Sequence, residues 1–205
     1  MNQAIKAICF DLDGVYFTAR GKQSFHRALI KEFGGEKAAV DGFMRTSETM
    51  RDFACGRVSV DAFFNELRVA TGASGTDDEL IARWIRDYEI DARVRQAVQS
   101  ARAQGYRTCV CTNNNAARLP ALETKYGFYQ DFDVVVSSHE VGYTKPSLEI
   151  FNELLTRIGV AASELVYADD NPDRLQGARD VGITTFVFED FEQFVRELKT
   201  LGVTL

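Results

Sequence analysis

The sequence predicts an α/β fold: a parallel sheet flanked by helices, with a small all-helical segment inserted after the first strand. Three observations carry this. A short apolar run, Ala4 to Phe10, ends abruptly in Asp11-Leu12-Asp13-Gly14. The stretch from Phe25 to about Tyr88 then spaces its apolar side chains at helical intervals, with nothing that reads as a strand. From Asp91 onward, apolar runs of strand length alternate with helix-length stretches, the pattern of βαβ units in a Rossmann-like parallel sheet with right-handed crossovers.

Taken in order, Ala4 to Phe10 is short, apolar and β-branched enough for a buried strand. Val15 to Thr18 and the polar turn Arg20-Gly21-Lys22 read as a short flap. Phe25, Leu29, Ile30 and Phe33 form one helical stripe, stopped by Gly34-Gly35. A second helix is expected over Lys37 to Phe53, ended by Gly56. A third is capped by Ser59 and carries Phe63, Phe64 and Leu67. Thr76-Asp77-Asp78-Glu79 is a capping-box pattern before a fourth helix with Leu80, Ile81, Trp84, Ile85 and Tyr88.

Asp91 caps a helix with Val94, Val98 and Ala101, ended by Gly105. Tyr106 to Cys111 is a strand leading into Thr112-Asn113-Asn114-Asn115, and a helix with Leu119, Leu122 and Tyr126 stops at Gly127. Asp133 to Val136 is a strand. Ser147 caps a helix carrying Ile150, Phe151, Leu154, Leu155 and Ile158, closed by Gly159. Leu165 to Ala168 is a strand ending in Asp169-Asp170-Asn171, followed by a helix with Leu175, Ala178 and Val181. Thr184 to Phe188 is the last strand and Phe191 to Leu201 the last helix. The expected division is an α/β core of residues 1–16 and 92–205 with a helical cap of residues 17–91. Its hinges fall near Phe17 to Gly21 and Glu89 to Ala92.

Composition narrows the function. The 205 residues suffice for a substantial core, and 45% hydrophobic with 26% charged residues is ordinary for a globular protein. A net charge of −6 argues against a nucleic-acid partner, which would want a basic stripe. Cys9, Cys55, Cys109 and Cys111 fit neither a CxxC redox pair nor a zinc framework, so free thiols in a reducing compartment are expected. No apolar run approaches the ~20 residues of a membrane helix, and Asp11 comes too early for a signal peptide. A cytoplasmic location is the expectation, and the sequence leaves the oligomeric state open.

The polar residues gather where a parallel sheet would bind a ligand, at strand ends and the loops after them. The first strand supplies Asp11 and Asp13, the second Thr112 and Asn113, the loop after the third Lys145, and the fourth Asp169 and Asp170. Carboxylates at close quarters repel, and a divalent cation together with Lys145 lets them stay ionised. A cation, an ammonium and a nucleophilic carboxylate are the parts that phosphoryl chemistry uses.

Asp11-Leu12-Asp13-Gly14-Val15, Thr112-Asn113, Lys145-Pro146 and Asp169-Asp170 resemble, in order, the four motifs of the haloacid dehalogenase-like hydrolase superfamily. The inserted helices resemble that family's first type of cap. The resemblance implies Asp11 as a nucleophile that becomes an aspartyl-phosphate and Asp13 as general acid/base. It implies Thr112, Asn113 and Lys145 around the phosphoryl group. Mg²⁺ would be held by the Asp11 carboxylate, the Asp13 main-chain carbonyl and Asp170, with Asp169 as ligand or neighbour. An acidic residue at position 13 favours phosphate esters over organohalides. The Asp169-Asp170 pair is similar to the phosphatase subgroup that includes α-D-glucose-1-phosphate phosphatase and the phosphatase domain of soluble epoxide hydrolase. Arg174 departs from the Asp or Asn usual four residues after the metal-binding Asp, with Asp173 next door.

The implied activity is Mg²⁺-dependent hydrolysis of a small phosphorylated metabolite, with a sugar phosphate as the first choice of substrate. A phosphomutase resembling β-phosphoglucomutase would use the same pair of aspartates and reveal itself by requiring a bisphosphate. A receiver-type signalling domain, whose phospho-aspartate persists, fits less well because its acceptor does not lie on the first strand before a helical insertion. An inactive scaffold with a leftover metal site would bind Mg²⁺ without turnover. His26 and His139 lack partners at metal spacing, Arg45, Arg51 and Arg57 read as a solvated face, and Trp84 reads as core.

Overall fold

The computed structural model of the chain describes residues 4–19 and 24–205. Its strands are Ala7–Phe10 (β1), Phe17–Ala19 (β2), Tyr88–Ile90 (β3), Arg107–Thr112 (β4), Val134–Ser137 (β5), Leu165–Asp169 (β6) and Thr184–Val187 (β7). Five of them form one parallel sheet in the order β5-β4-β1-β6-β7. The central strand β1 pairs Cys9 with Cys109 on one side and Tyr167 on the other.

The helices are Phe25–Lys31 (α1), Lys37–Thr46 (α2), Glu48–Ala54 (α3), Val60–Thr71 (α4), Asp77–Ile85 (α5), Ala92–Ala103 (α6), Arg118–Tyr126 (α7), Ser138–Val141 (α8), Leu148–Ile158 (α9), Gln176–Asp180 (α10) and Phe191–Thr200 (α11). The period-2 alternation of the strands divides the core between the two faces of the sheet. Ile8, Phe10, Val110 and Ala168 pack with Val94 and Val98 of α6 and Phe194 of α11. Ala7, Cys9, Cys109, Cys111 and Tyr167 pack with Ile150, Phe151 and Leu154 of α9. Both faces are covered, as an all-parallel sheet requires. Cys9, Cys109 and Cys111 are buried free thiols.

A third apolar cluster lies within α1–α5, where Phe25, Leu29, Phe53, Phe63, Phe64, Leu67 and Leu80 are buried together. Phe53 stacks on Phe63 at 4.0 Å and Trp84 on Phe25 at 4.4 Å, so the partly buried Trp84 packs against this core rather than standing free as a binding platform. The buried Arg83 on α5 ties the bundle to Glu32 at 2.8 Å and Asp87 at 3.0 Å.

Several elements depart from the sequence reading. The segment expected to hold four helices and no strand has five helices and enters β3 at Tyr88. The single helix expected over Lys37 to Phe53 breaks at Ser47, whose extended backbone (ψ 139°) and side chain cap α3 by accepting from Met50 N. The flap is β2, which pairs antiparallel with β3, so one ribbon joins the two ends of the helical segment to the core. The polar turn at Arg20-Gly21-Lys22 lies outside the described residues, as does the Gly21 end of the first hinge. An extra short helix, α8, follows β5, and the helix expected around Leu175 to Val181 shrinks to the five residues of α10 after a turn at Pro172–Arg174. Ser147 occupies the N-cap of α9, but its hydroxyl makes no capping bond. The capping box at Thr76 and Glu79 and the Asp91 cap both form.

Candidate active site

β1, β4 and β6 end side by side, and their last residues bring the distant acidic and polar groups into one place. Asp11 follows β1 directly, its N–H donating to the Ala168 carbonyl at 2.9 Å. Its side chain is buried, and Oδ1 accepts from Leu12 N at 2.7 Å. Lys145 reaches in from the loop after α8. Its Nζ is 2.8 Å from Asp11 Oδ1 and 2.6 Å from Asp169 Oδ2, and it donates to the Tyr167 hydroxyl at 2.7 Å and the Cys111 carbonyl at 2.9 Å. Asn113 fixes that loop with both ends of its amide: Oδ1 accepts from Lys145 N at 2.7 Å and Nδ2 donates to the Lys145 carbonyl at 3.1 Å.

Burial alone pushes the Asp11 carboxyl up; Lys145 pulls it back and Asp169 adds repulsion, leaving it at about 7. Burial works against the Lys145 ammonium too, but Asp11 and Asp169 outweigh it and hold its pKa above the ordinary value. Burial would raise Asp169 as well; Lys145 and the Tyr167 hydroxyl, which donates to its Oδ2, bring it below the usual carboxylate range. Asp170 is raised, first by burial and then by its neighbour Asp169.

Asp11, Asp169 and Asp170 each offer an oxygen within 4.8 Å of the others. All are hard donors of the kind a divalent cation takes. Asp169 has spent Oδ2 on Lys145 and Tyr167 and Oδ1 on Asn171 N at 2.9 Å. Among the described residues no donor reaches the Asp170 carboxylate with a hydrogen bond. That carboxylate sits in a cradle left by Gly14, whose φ of +85° and missing Cβ make room for it. The residues present therefore fit a divalent cation. Asp173 is exposed and outside this cluster, whereas Arg174 Nη1 lies 3.4 Å from Asp11 Oδ2.

Thr112 ends β4 with its side chain 1% exposed, and among the described residues its Oγ1 has no hydrogen-bond partner. A buried hydroxyl without a partner is costly and calls for a functional explanation. Asp13 stands apart from the Lys145 cluster. Both of its oxygens are held by Arg118, Nη1 to Oδ2 and Nη2 to Oδ1, each at 2.5 Å. Arg118 and Tyr167 had escaped sequence reasoning. An arginine opening a helix reads as solvated, and a tyrosine inside an apolar strand reads as core.

Of the other residues weighed, His26 Nε2 lies 2.6 Å from Asp41 Oδ1, and His139 Nδ1 shares a hydrogen bond with Ser137 Oγ at 2.7 Å. Arg45, Arg51 and Arg57 line a hollow of about 560 Å³ between the α2–α3 corner and the loop 142–147, together with Tyr143 and Thr144. Arg57 is committed to Asp52 at 3.1 Å and to the Gly142 carbonyl at 3.3 Å.

The family model of the haloacid dehalogenase-like hydrolases matches residues 5–182, and the chain belongs to that family. Among curated proteins it is 26% identical to bifunctional epoxide hydrolase 2 of Sus scrofa over 98% of this chain, but it spans only 40% of that protein's length. It is 26% identical to the sesquiterpene phosphatase astK of Aspergillus oryzae, covering 98% of each chain. It is 24% identical to the D-ribitol-5-phosphate phosphatase of Bacteroides thetaiotaomicron, covering 96% of this chain and 98% of that one. Among solved structures, a HAD-like family hydrolase from Porphyromonas gingivalis superposes with a TM-score of 0.82 at 24% identity, covering 99% and 100% of the two chains. A HAD family enzyme from Bacteroides thetaiotaomicron, solved with magnesium and inorganic phosphate, superposes with a TM-score of 0.80 at 19% identity, covering 93% and 99%. Among the described residues no helix is long and apolar enough to cross a membrane.

Proposed function

We propose that this hydrolase is a Mg²⁺-dependent phosphatase that cleaves a small phosphate monoester through an aspartyl-phosphate on Asp11. The observation that carries the reading is the unpartnered Thr112 hydroxyl, buried beside strand β1 whose end bears the Lys145–Asp11 pair. A hydroxyl donor and an ammonium near a carboxylate nucleophile suit the oxygens of a transferring phosphoryl group.

In the first half of the reaction an Asp11 carboxylate oxygen attacks phosphorus and the bond to the leaving oxygen breaks. Asp13 gives its proton to that oxygen. In the second half Asp13 takes a proton from the attacking water, and the aspartyl-phosphate is cleaved to phosphate and free Asp11. Lys145 holds the Asp11 carboxylate and offsets phosphoryl charge, and Thr112 donates to a phosphoryl oxygen. Asn113 contributes by holding the Lys145 backbone. Mg²⁺ would be held by the Asp11 and Asp170 carboxylates and the Asp13 main-chain carbonyl, with Asp169 orienting Lys145 beside it. When bound, the cation neutralises charge on the phosphoryl oxygens.

Residues 17–91 act as a cap over a core of residues 1–16 and 92–205, closing the site against water. A sugar or sugar-alcohol phosphate is the preferred substrate class, supported by the ribitol phosphatase relative. Free, mostly buried cysteines favour a reducing, cytoplasmic setting. The test is a phosphate-release screen over small phosphate esters with Mg²⁺, run beside Asp11→Asn. Release by the wild type alone is expected; equal release by both proteins overturns the assignment of Asp11.

A further inference from the structure

Asp13 is partly exposed, its side chain 26% accessible, against 6% for that of its partner Arg118. Both terminal nitrogens of Arg118 are spent on both Asp13 oxygens. A planar fork on a carboxylate fixes orientation as well as charge, which a lysine cannot do. Arg118 is held at its backbone and over one face of its guanidinium. Its backbone N–H donates to Asn115 Oδ1 at 2.9 Å, anchoring it at the start of α7. Its Cζ lies 4.2 Å from the centroid of the Tyr88 ring. Tyr88 belongs to β3, and the Tyr126 hydroxyl of α7 donates to the Tyr88 carbonyl. Asp13 forms a bridge with Phe17 at the start of β2, the other strand of the same ribbon.

We propose that Arg118 is the positioning residue of Asp13: it orients the carboxyl group for proton transfer, and Tyr88 ties that orientation to the ribbon that carries the helical segment. This rests on the reading of Asp13 as general acid/base. A group that hands a proton to a leaving oxygen must be aimed as well as ionisable, and misplacement by an ångström is expensive. The proton balance is unchanged by Arg118, which holds Asp13 and gives up no proton itself. Asp13 loses a proton to the leaving oxygen as the ester bond breaks and regains one from water as the aspartyl-phosphate is cleaved.

Leaving-group dependence separates this role from a structural one. A 2,4-dinitrophenolate leaves without a proton, whereas an alkoxide needs one. The probes are 2,4-dinitrophenyl phosphate, phenyl phosphate and a simple alkyl phosphate, assayed with Mg²⁺ on wild type, Arg118→Met, Arg118→Lys and Asp11→Asn. In Arg118→Met, kcat on the alkyl ester falls by roughly 100-fold, the low end of what general acid catalysis supplies, while the dinitrophenyl ester loses less than about tenfold. Arg118→Lys recovers part of the alkyl-ester loss, because it keeps the charge and loses the fork. Tyr88→Leu shifts the same ratio in the same direction by a smaller factor. An equal loss on all three esters, or no loss on the alkyl ester, overturns the proposal. Should Asp11→Asn still release phosphate, the phosphatase reading itself fails, and that outcome is separate from the behaviour of the Arg118 variants.

Discussion

A Cβ at position 14 would lie 2.1 Å from Oδ2 of Asp170. No side chain flexes enough to absorb that without moving the carboxylate out of its cradle. The backbone at Gly14 is also left-handed, with φ +85°, which an alanine adopts only under strain. Gly14→Ala is therefore expected to weaken Mg²⁺ affinity by roughly 10- to 100-fold, the effect of displacing an oriented ligand. Calorimetric titration with Mg²⁺ checks this. In the double variant with Asp170→Ala, thermal stability partly recovers and metal affinity does not, because only the clash has been relieved.

Lys145 compensates two carboxylates at once, at 2.8 Å from Asp11 and 2.6 Å from Asp169, with none of its own side chain exposed. Lys145→Met leaves both acids facing each other without their shared counter-charge, with only the more distant Arg174 Nη1, 3.4 Å from Asp11 Oδ2, still beside them. Removing one partner of a buried ion pair typically costs roughly 3–5 kcal/mol. Urea unfolding of metal-free protein should show a loss of that size, and phosphate release should vanish. Added Mg²⁺ should stabilise the variant more than the wild type, because a cation then supplies the missing positive charge. Equal stabilisation of the two proteins would contradict the shared-charge account.

How much of this was legible in the sequence follows from where each residue sits. Asp11, Thr112, Lys145, Asp169 and Asp170 could be gathered from sequence because parallel strands all deliver their carboxyl ends to one edge, whatever lies between them. The ribbon of β2 and β3 could not. Each strand is three residues long, and their pairing joins Phe17 to Ile90 across the whole helical segment. The break at Ser47 was hidden because Phe43, Met50 and Phe53 keep the apolar spacing going across it, while the serine caps silently. Ser147 shows the converse: a good capping residue at the right place that makes no capping bond. Asp13 was expected in the same crevice; the structure holds it on Arg118, a partner 105 residues away that carries no local mark in the sequence.

Tyr167 offers a finer test of the charge cluster. Its hydroxyl accepts from Lys145 Nζ at 2.7 Å and donates to Asp169 Oδ2, linking the two. Tyr167→Phe keeps the packing against Phe151, whose ring centroid is 5.7 Å away, and removes only the link. The expected cost is about 1.5–3 kcal/mol of stability, the range for hydrogen bonds to charged groups, since both of the hydroxyl's partners are charged. The catalytic effect should fall on kcat more than on KM, since Asp169 and Lys145 lose their mutual register without losing their charges. Unchanged kcat in steady-state assays would mean that Tyr167 serves packing alone.

His139 supplies a pH dependence away from the metal cluster. Its ring is half-buried at the seam where α8 meets the helical segment: Ser138 Oγ donates to the Ala54 carbonyl at 2.6 Å, and a Cβ on Gly56 would lie 2.0 Å from the His139 carbonyl oxygen. Burial lowers its pKa below the ordinary value, and neighbouring Glu140 pulls the other way without restoring it. The folded chain thus resists a proton that the unfolded chain accepts near pH 6.5. The stability tied to a neutral His139 is complete above that value and is lost as pH falls toward the lower folded pKa, by at most about 1.4 kcal/mol per pH unit. His139→Asn cannot charge and lacks this loss. Urea midpoints measured for both proteins from pH 7.5 to 5 should show the wild type losing ground to the variant as the pH drops below about 6.5. Because the two proteins differ only at this ring, the difference between the curves isolates it, and parallel curves would show that its burial costs nothing on protonation.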